Sequence, residues 1–250
     1  MPSRLGMITP SSNSVLEPVT AAMLAGRADV TAHFSRLRVT EIALDAPALN
    51  QFDPGHMLPA AELLADARVG SIAWNGTSAS WLGIERDESL CAAILAATGI
   101  PATTSTLACL DTIRLAEARQ VGLVSPYTDD VQTRIGEVWR AAGVPVHAER
   151  HLGIRDNFSF GEIAPSTIAD MIQAVVREGS DAIVVLCTNM NGAGVVAELE
   201  RELGVLVLDS VAVTLWHSLQ IAGVDAGGLA QWGRIFREEQ FNRHNGRLGR

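Results

Sequence analysis

The sequence predicts an α/β protein made of two pseudo-symmetric, doubly wound halves, each a small parallel sheet flanked by helices, with an active-site cleft between them. Three observations lead there. Short apolar runs rich in β-branched residues alternate with helix-forming segments, the pattern of βαβ units around a buried parallel sheet. Partway along, the pattern starts again, since Gln120-Val-Gly-Leu-Val-Ser-Pro126 repeats the shape of Arg4-Leu-Gly-Met-Ile-Thr-Pro10. Lastly, the run Ala182-Ile-Val-Val-Leu-Cys187 ends on a cysteine where a strand would leave its sheet. The carboxyl ends of strands in open α/β sheets form the crevice that receives ligands.

Taken in order, residues 4–9 read as the first strand, stopped by Pro10. Ser11-Ser-Asn-Ser14 offers helix N-caps, and Glu17 stands three residues after Ser14 as in a capping box, which predicts a helix through Ala25. Val30 to Arg38 alternates like a strand, and Pro59 to Ala67 is rich in helix formers. Ser71 to Trp74 is a short strand opening into Asn75-Gly-Thr-Ser-Ala-Ser80, followed by a helix over residues 85–97 and a strand from Gly99 to Thr104. The helix predicted over 105–118 has an apolar face of Leu107, Leu110, Ile113 and Leu115.

The second copy places Val184-Val-Leu-Cys-Thr188 where the first has Ile72-Ala-Trp-Asn-Gly-Thr77, and Gly204-Val-Leu-Val-Leu-Asp-Ser210 where it has Gly99-Ile-Pro-Ala-Thr-Thr-Ser105. Pro126 follows Pro10 by 116 residues, Thr188 follows Thr77 by 111 and Gly204 follows Gly99 by 105, as expected if loops shorten in the second copy. A further helix is expected over 211–222. The halves are then residues 1–117 with 218–250, and residues 118–217. The tail beyond Gly223 is expected to fold back as a helix onto the first half, with residues 242–250 frayed.

Composition narrows the function. Hydrophobic residues make up 48% of the 250 and charged residues 19%, a globular balance. The net charge of −9 and the lack of a Lys/Arg cluster argue against a nucleic-acid partner. No apolar run approaches the roughly 20 residues that cross a bilayer, and the N-terminus lacks a signal-peptide core, so no membrane partner is expected. Three cysteines without CxxC spacing fit a reducing cytoplasm. A homo-oligomer is compatible with the sequence, but no feature specifies one.

Cys187 is the candidate catalytic group, because a thiol at a strand end among small polar residues is placed for chemistry. Cys91 and Cys109 sit in apolar helical patterns and read as core. Gly76 is the counterpart of Cys187 in the first copy, so one thiol remains where a symmetric enzyme would have two. Thr77 and Ser78 bring hydroxyls and backbone N–H groups to the start of a helix, suited to a carboxylate or enolate oxygen as well as to ordinary capping. Tyr127, the only tyrosine, follows Pro126 and could donate to an oxyanion. Asn13 and Asn157 also read as caps or turn residues. The chain lacks GxGxxG and GxxxxGK[ST], and its six histidines show no paired-ligand spacing. Gly76-Thr-Ser-Ala-Ser80 lacks the second glycine of a serine nucleophile elbow.

Together these residues resemble the aspartate/glutamate racemase superfamily, in its maleate isomerase and arylmalonate decarboxylase branch, from Gly6 to about Gly223. Pro10-Ser-Ser-Asn13 looks like the first loop of the isomerase, and Tyr127, Asn157 (in Leu152-Gly-Ile-Arg-Asp-Asn-Phe158) and Cys187 match its functional positions. Gly76-Thr-Ser78, Tyr127-Thr-Asp-Asp-Val131 and a single cysteine at 187 look like the decarboxylase. The resemblance implies a cofactor-independent enzyme acting on a small carboxylate. Cys187 and Tyr127 would be catalytic, and Ser12, Asn13, Gly76, Thr77, Ser78, Asn157 and Thr188 would bind substrate. Cys187 would protonate an enediolate left by decarboxylation. Cis–trans isomerisation or racemisation is the alternative, and binding of a carboxylate without turnover is the second. No metal, nucleotide or pyridoxal cofactor is implied.

Overall fold

A computed structural model describes residues 1–242, and the frayed end expected over 242–250 lies, from 243 onward, outside the described residues. In the first part of the chain β1 (Ser3–Pro10), α1 (Leu16–Met23), β2 (Val30–Leu37), α2 (Ala46–Asn50), α3 (Pro54–Asp66), β3 (Ser71–Trp74), α4 (Ala79–Leu82), α5 (Ile84–Thr98), β4 (Ala102–Thr104) and α6 (Ser105–Leu115) follow one another. The second part runs β5 (Val121–Ser125), α7 (Asp129–Ala141), β6 (Val146–His151), a 3₁₀ turn at Phe158–Glu162, α8 (Pro165–Arg177), β7 (Ala182–Val185), α9 (Ala193–Leu203), β8 (Leu206–Asp209) and α10 (Ser210–Ile221).

Two parallel four-stranded sheets result, in the orders β2-β1-β3-β4 and β6-β5-β7-β8, flanked by helices. The same order in both is what the internal repeat predicts. In each sheet the chain order reverses between the two central strands, β1 and β3 or β5 and β7, which is where such folds open a ligand crevice. The glycine shared by the two leading strands has a packing cause. A Cβ on Gly6 would crowd the Val69 side chain at 3.0 Å and the Ser71 carbonyl at 3.2 Å, and one on Gly122 would meet Ser180 Oγ at 2.8 Å. The central strand β7 with Leu186 is wholly buried, so Ile183→Ala would cost about 2–5 kcal/mol.

Several local expectations are corrected. The α1 helix ends at Met23 and has no capping box: Asn13 Oδ1 accepts the N–H groups of Val15 and Leu16, and Glu17 pairs with Arg36 instead. Helix α3 begins at Pro54, earlier than Pro59, because Asp53 accepts from the Gly55 N–H and starts it. The segment after Gly223 is not a single helix. It forms 3₁₀ turns at Ala230–Trp232 and Arg234–Phe236 and the short α11 (Glu239–Asn242). The first turn packs on α9, the second on β8 and α10, and α11 on α6, while Arg27 of the first half donates to the Asp225 carbonyl ahead of them at 2.9 Å. Helix α10 itself lies against α6, β3 and β4, with Thr214 donating to Ser105 Oγ at 2.8 Å, and thereby ties the two sheets together.

Candidate active site

Five connections converge between the sheets: those after β1, β3, β5 and β7, and the one after β6. Ser12 and Asn13 lie between β1 and α1, Gly76 to Ser78 between β3 and α4, Tyr127 between β5 and α7, and Cys187 and Thr188 between β7 and α9, with Asn157 in the connection after β6. The structure brings all nine of these sequence-predicted residues into one cluster, of which only Ser12 is partly exposed.

At its centre are three groups. The hydroxyls of Thr77 and Tyr127 share a 2.7 Å hydrogen bond across the two halves. The Tyr127 phenol also lies close enough to Cys187 for each group to shift the other's titration. Tyr127 is fixed by edge-on aromatic contacts on two sides, Trp81 at 5.2 Å and Phe160 at 5.7 Å between ring centres. Burial pushes the Cys187 thiol up to about 12, overriding the Asn189 N–H and the Tyr127 phenol, both of which favour the thiolate. At neutral pH Cys187 therefore carries its proton. Burial raises Tyr127 well above its ordinary value too, so it remains a neutral donor.

The other polar residues build the frame. Asn13 Nδ2 donates to Thr188 Oγ1 at 3.1 Å, and Thr188 donates in turn to the Asn75 carbonyl at 2.9 Å, so this chain of bonds crosses from one sheet to the other twice. Asn157 Nδ2 donates to Ser12 Oγ, which donates to the Val39 carbonyl, both at 2.6 Å. Ser78 Oγ accepts from Trp74 Nε1 at 3.4 Å. Asn189, missed from the sequence, makes three side-chain hydrogen bonds, as many as Asn13. Its Oδ1 accepts the N–H groups of Ser14 and Val15, and its Nδ2 donates to the Asn157 carbonyl at 2.5 Å. The repeat contained the signal for it, because Asn189 follows Ser78 by the same 111 residues that separate Cys187 from Gly76. Among the described residues, no three His, Cys, Asp or Glu side chains are grouped as metal ligands.

This arrangement can give a proton to a carbon held beside Cys187 while hydroxyls stabilise negative charge on oxygen. An arylmalonate decarboxylase family model matches residues 5–236. The chain belongs to that family. It is 30% identical to the arylmalonate decarboxylase of Bordetella bronchiseptica over 166 residues, covering 65% of this chain and 69% of that one. It is 28% identical to the maleate isomerase of Geobacillus stearothermophilus over 234 residues, covering 87% and 90%. Among solved structures, a Nocardia farcinica maleate cis-trans isomerase variant with a covalently bound succinylcysteine intermediate shares the fold, with a TM-score of 0.86 at 22% identity over 95% of this chain and 99% of that one. These family relatives are enzymes acting on small carboxylates. No helix among the described residues is long and apolar enough to cross a membrane.

Proposed function

We propose that this family member is a cofactor-independent decarboxylase of a small malonate-type dicarboxylate, with Cys187 as its proton donor. The observation that carries the reading is a single neutral thiol beside the Tyr127–Thr77 hydroxyl pair, with glycine at the matching position of the other half. One carboxylate of the substrate would be held by Thr77, Ser78 and Tyr127. The bond to the second carboxylate breaks, carbon dioxide leaves, and the electron pair spreads onto the retained carboxyl as a planar enediolate. Donation from Thr77 and Tyr127 stabilises that charge. The Cys187 S–H proton then passes to carbon, and water returns a proton to the thiolate. Ser12, Asn13, Asn157 and Thr188 hold the loops in register, and the two halves, residues 1–117 with 218 onward and residues 118–217, close on the substrate. The three free thiols support a cytoplasmic location.

Isomerisation of maleate is the second reading, favoured by the coverage of the isomerase relative. Proton NMR of the protein with substituted malonates and with maleate in D₂O separates the two. Loss of carbon dioxide with one α-deuterium in the product supports decarboxylation, whereas fumarate from maleate overturns it.

A further inference from the structure

Gly76 is more than the place where a second thiol is missing: another side chain already fills its space. A Cβ built on Gly76 would stand 2.6 Å from Trp74 Nε1 and closer still to the ring carbons beside it, far inside van der Waals contact. Trp74 has no room to give way. It is completely buried, its backbone is paired in register with Ile8 on one side and Thr104 on the other, and its Nε1 donates to Ser78 Oγ. In the other half the equivalent pair is reversed in size. Val185 ends β7 where Trp74 ends β3, and the residue two places on is Cys187 rather than glycine. Each half thus spends its volume differently, one on an indole, the other on a reactive side chain.

We propose that Trp74 is a specificity-determining residue whose indole occupies the position of an acid/base group on the Gly76 side, so that a planar intermediate meets a proton donor on the Cys187 side only. The claim rests on the decarboxylase reading for its consequence in turnover, but its steric part stands without it. On the decarboxylase reading, a substrate beside Cys187 would meet the apolar indole of Trp74, and no second acid, on the Gly76 side.

The test compares Gly76→Ala, Gly76→Cys, Trp74→Leu, Trp74→Leu/Gly76→Ala and Trp74→Leu/Gly76→Cys. Overpacking against an intact indole should lower Tm by about 5 °C in both glycine variants, while each double variant melts within about 2 °C of Trp74→Leu alone. Iodoacetamide labelling located by peptide mass spectrometry should find residue 76 protected in Gly76→Cys and modified in Trp74→Leu/Gly76→Cys. Only that double variant should exchange the α-hydrogen of the monocarboxylate product with D₂O, at least tenfold faster than Gly76→Cys. A Gly76→Cys protein as stable as the native one, with its new thiol readily labelled, would overturn the steric claim. Labelling without exchange in the double variant would overturn the assignment of one-sidedness to Trp74. Failure of the decarboxylase reading shows separately, as a native protein that turns over no malonate while the melting and labelling pattern holds.

Discussion

The connections after β3 and β7 begin from the same plan and end differently. Both leave a buried four-residue strand, both place a threonine one residue beyond the Gly76 or Cys187 position, and both lead into a helix. The first puts a glycine under an indole and presents the hydroxyls of Thr77 and Ser78. The second presents a buried thiol and, in Asn189, an amide that bonds to loops of both halves. On the proposed reading, the two equivalent positions of the repeat divide the work, one face holding charge and the other moving a proton.

Removing the thiol should break this comparison most completely. Cys187→Ala should lower kcat by about 10³-fold or more, since general acid transfer alone contributes about 10²–10⁴. Tm should fall only slightly, because the side chain lost is small and the bond it accepts is the weak N–H···S contact from Asn189 at 3.4 Å. Next in size is Tyr127→Phe, which keeps the ring packed between Trp81 and Phe160 but deprives the intermediate of a donor. A fall of about 10²-fold in kcat with a smaller change in KM is expected. It should also raise the pH at which Cys187 reacts with iodoacetamide, because the phenol favours the thiolate.

Asn189→Ala tests the frame rather than the chemistry. It orphans the Ser14 N–H and removes the amide donor to the Asn157 carbonyl, while the Val15 N–H keeps Asn13 Oδ1, so a loss of about 1–3 kcal/mol in urea unfolding is expected, with Ser78→Ala costing less. The smallest effect concerns the floor beneath the thiol loop. Asp209, which caps α10, is pushed up to about 7 by burial despite the N–H groups of Ala212 and Val211, and its Oδ2 lacks a protein partner. The folded chain keeps that proton up to about pH 7, whereas the unfolded chain releases it near 3.8, so stability falls as pH rises through this interval. Asp209→Asn retains the cap and should flatten unfolding free energy measured at pH 5, 6 and 7. The buried Asp87, also pushed up to about 7, adds slope in the same direction.

What could be read from the sequence follows from how local each signal is. The repeated Gly-to-Pro runs and the apolar β7 announced two parallel sheets, because buried parallel strands write their environment into consecutive residues. Strand β6 escaped: as an edge strand, Val146-His-Ala-Glu-Arg-His151 carries half-exposed and exposed side chains and no apolar run. Asn13 was among the N-cap candidates and does accept the Leu16 N–H, but the Ser14–Glu17 capping box was misread, because the Ser14 N–H goes to Asn189, 175 residues away, and Glu17 pairs with Arg36. Cys187, Tyr127 and Thr77 were legible as strand-end residues on the repeat. The role of Trp74 was not, since nothing in Ala73-Trp-Asn-Gly76 says that an indole folds back over a glycine two residues on.

The central claim, one proton donor on one face, is tested most directly by decarboxylating a prochiral α-substituted malonate in D₂O and determining both the deuterium content and the handedness of the product. The account predicts a single α-deuterium and one enantiomer, with this turnover lost in Cys187→Ala. A racemic product, or full turnover without Cys187, would contradict it.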